Sequence, residues 1–215
     1  MPERYVTIAD RLDVWRGALL SGEPPRRFRV GDGDLSRLEI GPGLMTLIGG
    51  APGAGKTALV MQMAVDALRN DPELRALVAN VEMSPEALFE RQLARLSGIP
   101  LDVIRYRRLT AEHAGRLDYG LGELASIGGR LAFVNTPIRL ETIAEAADQF
   151  QAELLILDYV QRIPPPGEHG DKRGALDTTM GFLRRFCDHG AGSLWFRRFR
   201  GDAIRAGGCP TRATR

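Results

Sequence analysis

The chain has 215 residues, 44% of them hydrophobic, with 29 lysines and arginines against 27 acids, which suits one sizeable core with a small appendage rather than two domains. No run approaches the roughly 20 apolar residues of a membrane span, and Met1–Asp10 lacks the basic-then-apolar order of a signal peptide. Membrane and secreted classes are therefore set aside and a cytoplasmic location is expected; Cys187 and Cys209 show neither metal nor redox spacing.

From the N-terminus, Ile8, Leu12, Trp15 and Leu19 recur at helical spacing after Thr7, a capping residue, and Gly22 with Pro24 and Pro25 ends the helix. This arm either packs on its own domain or docks on a neighbouring subunit. Arg26–Gly43 reads as irregular chain rich in glycine and charge, a candidate for part of a ligand pocket. Leu44–Ile48 reads as a buried strand and Ala58–Asn70 as a helix. Between them Gly50-Ala51-Pro52-Gly53-Ala54-Gly55-Lys56-Thr57 matches the phosphate-binding pattern G-x-x-x-x-G-K-[ST] at every fixed position. The glycines let successive N–H groups face a phosphate, and the positive end of the following helix adds attraction for an anion. Lys56 would reach the β- and γ-phosphates of a nucleotide, and the Thr57 hydroxyl would take one position on Mg²⁺. Lys56 and Lys172 are the only lysines in the chain, so a lysine at this position carries weight.

Ala76–Val81 reads as a second strand, followed by Glu82 and a helix that Ser84 caps and Pro85 starts, running to Ser97. Arg105–Arg108 is a basic run read as a solvated face. A helix is expected over Thr110–Ile127 with Leu117, Leu121 and Leu124 on one face. Leu131–Asn135 is a strand, Glu141–Phe150 a helix, and Leu154–Asp158 the most apolar strand of the chain. This alternation predicts an α/β fold, a mostly parallel sheet with helices on both faces and ligands at the carboxyl ends of the strands. Asp158, ending an apolar strand, suits a Walker B carboxylate that holds Mg²⁺; the plainer alternative is an ordinary strand-end acid. Glu82, ending a neighbouring strand, suits the carboxylate that polarises an attacking water, or else an acid favoured near the start of a capped helix. His113, His169 and His189 have no mutual spacing that suggests a metal site. Pro164–Gly174, with Lys172 and Arg173, is a loop facing DNA or water.

Asn80-Val81-Glu82-Met83-Ser84-Pro85-Glu86, then Arg91, Ser97-Gly98-Ile99 and Ile156-Leu157-Asp158-Tyr159-Val160-Gln161 resemble the RecA-type motor domain of DnaB-like replicative helicases. The resemblance runs from about Arg29 to His189. It implies a RecA-like P-loop NTPase in which Lys56 and Thr57 bind the phosphates and Mg²⁺ of ATP, Glu82 is the catalytic carboxylate and Asp158 the Walker B acid. It also implies a hexameric ring that hydrolyses ATP between adjacent subunits and moves single-stranded DNA, with residues 1–28 as an arm similar to the inter-subunit linker helix. Alternatives are a nucleotide-binding remnant that cannot turn over, and a RecA-like ATPase without unwinding activity.

The chain departs from this pattern at both ends. Only about thirty residues precede the motor, so no primase-binding domain is expected. Beyond about residue 190 the family's sensor strand, DNA-binding loop and arginine finger are not recognisable. Gly190–Arg215 instead holds six arginines against Asp202, leaving the rest of the chain acidic. Residues 191–215 are read either as a basic nucleic-acid tail with interleaved aromatics or as an out-of-frame segment. Restarting each codon of Leu194–Arg200 at its third base permits Val-Val-Ser-Ala-Val-Ser-Arg, which resembles the missing strand. The tail is accordingly expected to be poorly ordered and the sheet incomplete at its C-terminal end.

Overall fold

Leu154–Asp158 is apolar at every position but the last, the composition of a strand covered on both faces. In the computed structural model, described over residues 6–135, 137–158, 162–163, 178–184, 186 and 192–198, it lies inside a five-stranded sheet. In chain order the strands are β1 (Met45–Gly50), β2 (Ala76–Asn80), β3 (Leu131–Phe133), β4 (Leu154–Asp158) and β5 (Gly192–Arg198). Their spatial order is β1-β5-β4-β2-β3, and every pairing is parallel. The helices are α1 (Ile8–Leu20), α2 (Lys56–Asn70), α3 (Pro85–Ser97), α4 (Leu101–Arg105), α5 (Ala114–Ile127) and α6 (Leu140–Phe150), and residues 178–184 are also helical.

Strand alternation sorts the core into two layers. Ala76 and Val78 of β2 and Leu154 and Ile156 of β4 pack against Met63, Ala64 and Leu68 of α2 and Leu88 of α3. Leu77, Ala79, Leu155 and Leu157 turn the other way, onto Ile143 and Ala147 of α6 and Leu183. Helices on both faces of a parallel sheet are therefore found as the alternation of elements predicts. Phe28, Val30 and Ile40, in the stretch read as irregular, are buried in the first layer. The segment is pinned by Phe28 N–H donating to Ile40 O at 2.7 Å and by Arg26, which pairs with Asp71 at 2.9 Å and also with Glu153. Thr7 and Asp10 form a reciprocal capping box on α1, as Thr7 suggests. That helix buries none of its residues: Ile8 is 81% exposed and Trp15 59%.

Several expectations are corrected. The tail is expected to stand outside the sheet, yet Gly192–Arg198 is β5, hydrogen-bonded to β1 on one side and β4 on the other. A strand slot between two parallel strands is recognised by main-chain N–H and C=O groups. Leu194, Trp195 and Phe196 add β-propensity without apolar periodicity. The out-of-frame reading loses its structural argument, that the segment has no way to pair its backbone. The apolar face of α5 is also not the expected one. Leu117 and Leu124 pack inward with Gly120 and Ile127, while Leu121 is 46% exposed. The basic run is exposed, as expected, and carries surface ion pairs, Arg105 and Arg107 with Glu90 and Arg108 with Asp102. Cys187, Cys209, His169, His189, Tyr159–Gln161, the loop 164–174 and the tail beyond Arg198 lie outside the described residues.

Two glycines of α5 give opposite tests of this packing. A Cβ on Gly120 would meet Leu93 Cδ1 at 2.9 Å and Ser97 Cβ at 3.0 Å, so α3 and α5 approach more closely than alanine allows; a Cβ on Gly122 meets nothing within 4 Å. Gly122→Ala is expected to stabilise the fold by roughly 0.5–1 kcal/mol, the ordinary helical gain. Gly120→Ala is expected to destabilise it by about 1–3 kcal/mol through overpacking. Urea unfolding midpoints of the two variants check the sign of each.

Candidate functional site

The carboxyl ends of β1, β2 and β4 lie at one edge of the sheet, and the three sequence motifs meet there. The backbone of the P-loop turns on Gly53 and Gly55, whose φ angles of 77° and 81° are left-handed. Gly55 is also the residue from which α2 starts, so the helix N-terminus opens directly beneath the loop. The Lys56 ammonium lies back over this loop, donating to Gly50 O at 2.9 Å and Ala51 O at 2.7 Å. These contacts with neutral carbonyls keep a cation at the loop's mouth, where an anion competes for it with advantage.

On the other side of the cleft Asp158, 5% exposed, accepts two hydrogen bonds on the same oxygen, Oδ2. Thr57 Oγ1 donates at 2.7 Å and Asn80 Nδ2 at 2.7 Å. The Asn80 Oδ1 accepts the Glu82 N–H at 2.9 Å and the Met83 N–H at 2.7 Å, closing the turn between β2 and α3. Ser84 caps α3, accepting the Ala87 N–H at 3.3 Å, and Pro85 opens it. Burial pushes the Asp158 carboxyl above the usual range, and the charge of Glu82 pushes the same way. The Thr57 hydroxyl, the Lys56 ammonium and the Asn80 amide oppose the rise without cancelling it.

The resulting cleft, about 310 Å³, is lined by Pro52, Gly53, Gly55, Lys56, Thr57 and Ala58 of the loop and helix, and by Glu82, Met83, Arg91 and Asp158. The structure thus gathers Lys56, Thr57, Glu82 and Asp158, which stand more than a hundred residues apart at the extremes. Residues 26–43 contribute nothing to this lining, because Phe28, Val30 and Ile40 are drawn into the core beside α2 instead. Sequence reasoning assigned no role to Asn80 or Arg91. Arg91 enters the cleft from α3 with its Nε buried and, among the described residues, without a hydrogen-bond partner. The available signals were slight: Asn80 stands two residues before Glu82, an Asx-turn spacing, and Arg91 stands two helical turns past the cap Ser84.

The donor set suits Mg²⁺ rather than a softer metal. The Thr57 hydroxyl and Asp158 carboxylate are hard oxygen donors on adjoining elements. Among the described residues no cluster of three His, Cys, Asp or Glu forms a closed metal cage. Mg²⁺ is commonly held this way, by one or two side-chain oxygens together with substrate phosphates.

The raised Asp158 pKa has a signed consequence for stability. The folded chain holds this proton to higher pH than the unfolded chain, so the contribution is fully present below the ordinary value of 3.8 and is lost as pH rises through the raised one. Asp158→Asn removes the ionisable group while keeping an oxygen for Thr57 and Asn80. In Mg²⁺-free buffer the stability of the variant relative to wild type should therefore climb across that window and level off above it, as read from urea midpoints over a pH series. A flat difference across the window would contradict the assignment.

Comparison with known proteins places this geometry. The DnaB-like helicase C terminal domain matches residues 35–179. The chain is 28% identical over 134 residues to the replicative DNA helicase DnaC of Bacillus subtilis (strain 168) and 26% identical over 134 residues to the replicative DNA helicase DnaB of Geobacillus stearothermophilus. Each alignment covers 60% of this chain and 29% of the relative, so the chain spans under a third of the length of these curated relatives. Its fold superposes on a solved structure described as an ATPase domain with a TM-score of 0.80 at 16% identity, covering 94% of this chain and 74% of that one. It superposes on a DnaB-like replicative helicase, described with its interactions with primase, with a TM-score of 0.79 at 14% identity, covering 96% of this chain and 51% of that one. At such identities the superpositions speak to the fold, which is RecA-like. The family match extends over well more than half of the sequence and takes in the loop, Glu82 and Asp158, and the chain belongs to the DnaB-like helicase C-terminal domain family.

Proposed function

We propose that the chain is the ATP-binding and ATP-hydrolysing motor domain of a replicative DNA helicase. The observation that carries this reading is the 2.7 Å contact of Thr57 Oγ1 with Asp158 Oδ2 at the mouth of the P-loop cleft, with Lys56 and Glu82 in the same lining. P-loop N–H groups from Gly50, Ala51, Gly53, Ala54 and Gly55, with Pro52 shaping the turn, cradle the phosphates, and the Lys56 ammonium exchanges its carbonyl partners for phosphate oxygens. Thr57 and Asp158 would hold Mg²⁺, which would supply charge neutralisation for the phosphates when bound. Glu82 orients the water for attack on the γ-phosphate, and Arg91 supplies a second positive charge to the cleft.

The partners belong to the same proposal. A hexameric ring moving on single-stranded DNA is what the family resemblance implies, and the exposed α1 supports association between copies. Ile8, Val14, Trp15, Leu19 and Leu20 all lie open on a helix that buries nothing within its own chain. In this reading residues 1–28 are the arm and the RecA-like core begins at residue 29. The core's sheet runs to Arg198, which leaves 199–215 as a basic tail.

Lys56→Ala should weaken ATP affinity about 10- to 100-fold, the worth of one charge-assisted contact, measured by titration with a fluorescent nucleotide. Equal affinities would remove the site. Glu82→Ala should leave nucleotide affinity nearly unchanged and lower turnover by about 100-fold or more. Wild-type turnover per chain should rise with protein concentration if a neighbouring subunit completes the cleft. A remnant without catalysis would keep the Lys56 dependence of binding and show no turnover for Glu82 to control.

A further inference from the structure

The Asn80 side chain touches both acid-bearing elements of the cleft. Its amide is used at both ends: Oδ1 accepts the N–H groups of Glu82 and Met83, and Nδ2 donates to Asp158 Oδ2 at 2.7 Å. The orientation is dictated by its neighbours. A flipped amide would set NH₂ against two N–H donors and an oxygen against a carboxylate. The sheet supports the same link, since Asn80 is the register partner of Asp158 in the β2–β4 pair and the Val81 N–H donates to Asp158 O at 3.0 Å. With Oδ2 engaged by Thr57 and Asn80, the orientation of the whole Asp158 carboxylate is set, including the direction in which Oδ1 is presented.

We propose that Asn80 is a positioning residue that ties the Mg²⁺-binding carboxylate of Asp158 to the turn carrying Glu82. One amide thereby sets both the metal-binding oxygen and the water-orienting acid. This rests on the reading of the cleft as a magnesium–nucleotide site. Asn80 does not line the cleft; it acts through Asp158, as outer-shell partners of metal ligands do.

The test separates metal affinity from nucleotide affinity in the full chain. Asn80→Leu keeps the branched shape of the side chain and removes both polar ends, and Asn80→Ala removes the branch as well. Fluorescent-nucleotide titration in EDTA reports the P-loop alone, and Mn²⁺ binding to the nucleotide-saturated protein, read by electron paramagnetic resonance, reports the metal site. Both variants should keep EDTA nucleotide affinity within about twofold of wild type and lose Mn²⁺ affinity by about tenfold or more. Asp158→Asn and the Asp158→Asn, Asn80→Leu double variant should bind Mn²⁺ equally weakly, because the two residues act as one unit. Wild-type Mn²⁺ affinity in either Asn80 variant, additive losses in the double variant, or an equal loss of EDTA nucleotide binding would overturn the proposal; the last would show a merely structural role. A wild-type chain that binds no nucleotide fails the underlying reading and this proposal together. Normal wild-type binding with unaltered variants fails the tie alone.

Discussion

A carboxylate closed in at the end of an apolar strand has to be met by donors, and the ligand edge of this sheet is arranged around meeting that need at Asp158. Burying such a charge costs several kcal/mol unless it is paired or hydrogen-bonded. The compensation comes from two separate pieces of chain, Thr57 at the start of α2 and Asn80 at the end of β2, each donating to Oδ2 at 2.7 Å. Because those donors sit on the P-loop helix and on the strand that leads to Glu82, satisfying one carboxylate also sets the spacing of the loop, Asp158 and Glu82. The residual rise in the Asp158 pKa shows that compensation is incomplete. A cation between Asp158 and the phosphates would complete it.

This arrangement depends on strand register. Asn80 faces Asp158 only because Ala76 pairs with Leu154 at the other end of the same ladder. A slip of one residue would turn Leu77 and Leu155 into the wrong helical layer. The two apolar layers thus guard the geometry of the cleft from a distance. Three of the described arginines away from the cleft serve the frame. Arg130 donates to the carbonyls of Leu68 and Asp71 at the end of α2, Arg95 forks onto Asp66, and Arg69 pairs with Glu123. These side chains line a polar cavity of about 710 Å³, larger than the P-loop cleft, but their charge is already matched by neighbouring acids and carbonyls. Size alone does not mark the candidate cleft here; convergent oxygen donors and a perturbed carboxylate do.

Among the described residues, α1 and β1 are two of the places where apolar side chains are left open. The whole of α1 is solvated, and on β1, at the margin of the described sheet, Met45 is 39% and Leu47 49% exposed. Exposed large apolar residues grouped on one helix mark association surfaces more often than scattered ones do. The frame that holds the cleft is thus closed around β2 and β4 and open around α1 and β1.

How much of this was legible beforehand follows the range of the forces involved. The P-loop, the caps Thr7 and Ser84, the alternating elements and the acids Glu82 and Asp158 are local patterns. Their signals are short-range: glycine dihedrals, side-chain-to-backbone capping and apolar periodicity all act within a few residues. What only the tertiary structure decided involves partners distant in sequence. The role of Asn80 exists only when Asp158 arrives beside it across β2 and β4, and Arg91 belongs to the cleft only through the way α3 packs. The burial of Phe28, Val30 and Ile40 in a stretch with no period, and the turn of α5 that favours Gly120 over Leu121, were likewise set by the neighbour that each segment meets. Gly192–Arg198 is the sharpest case. Its sequence carries no apolar alternation, and its place between β1 and β4 is marked by main-chain pairing with strands distant in the chain, which apolar periodicity does not record.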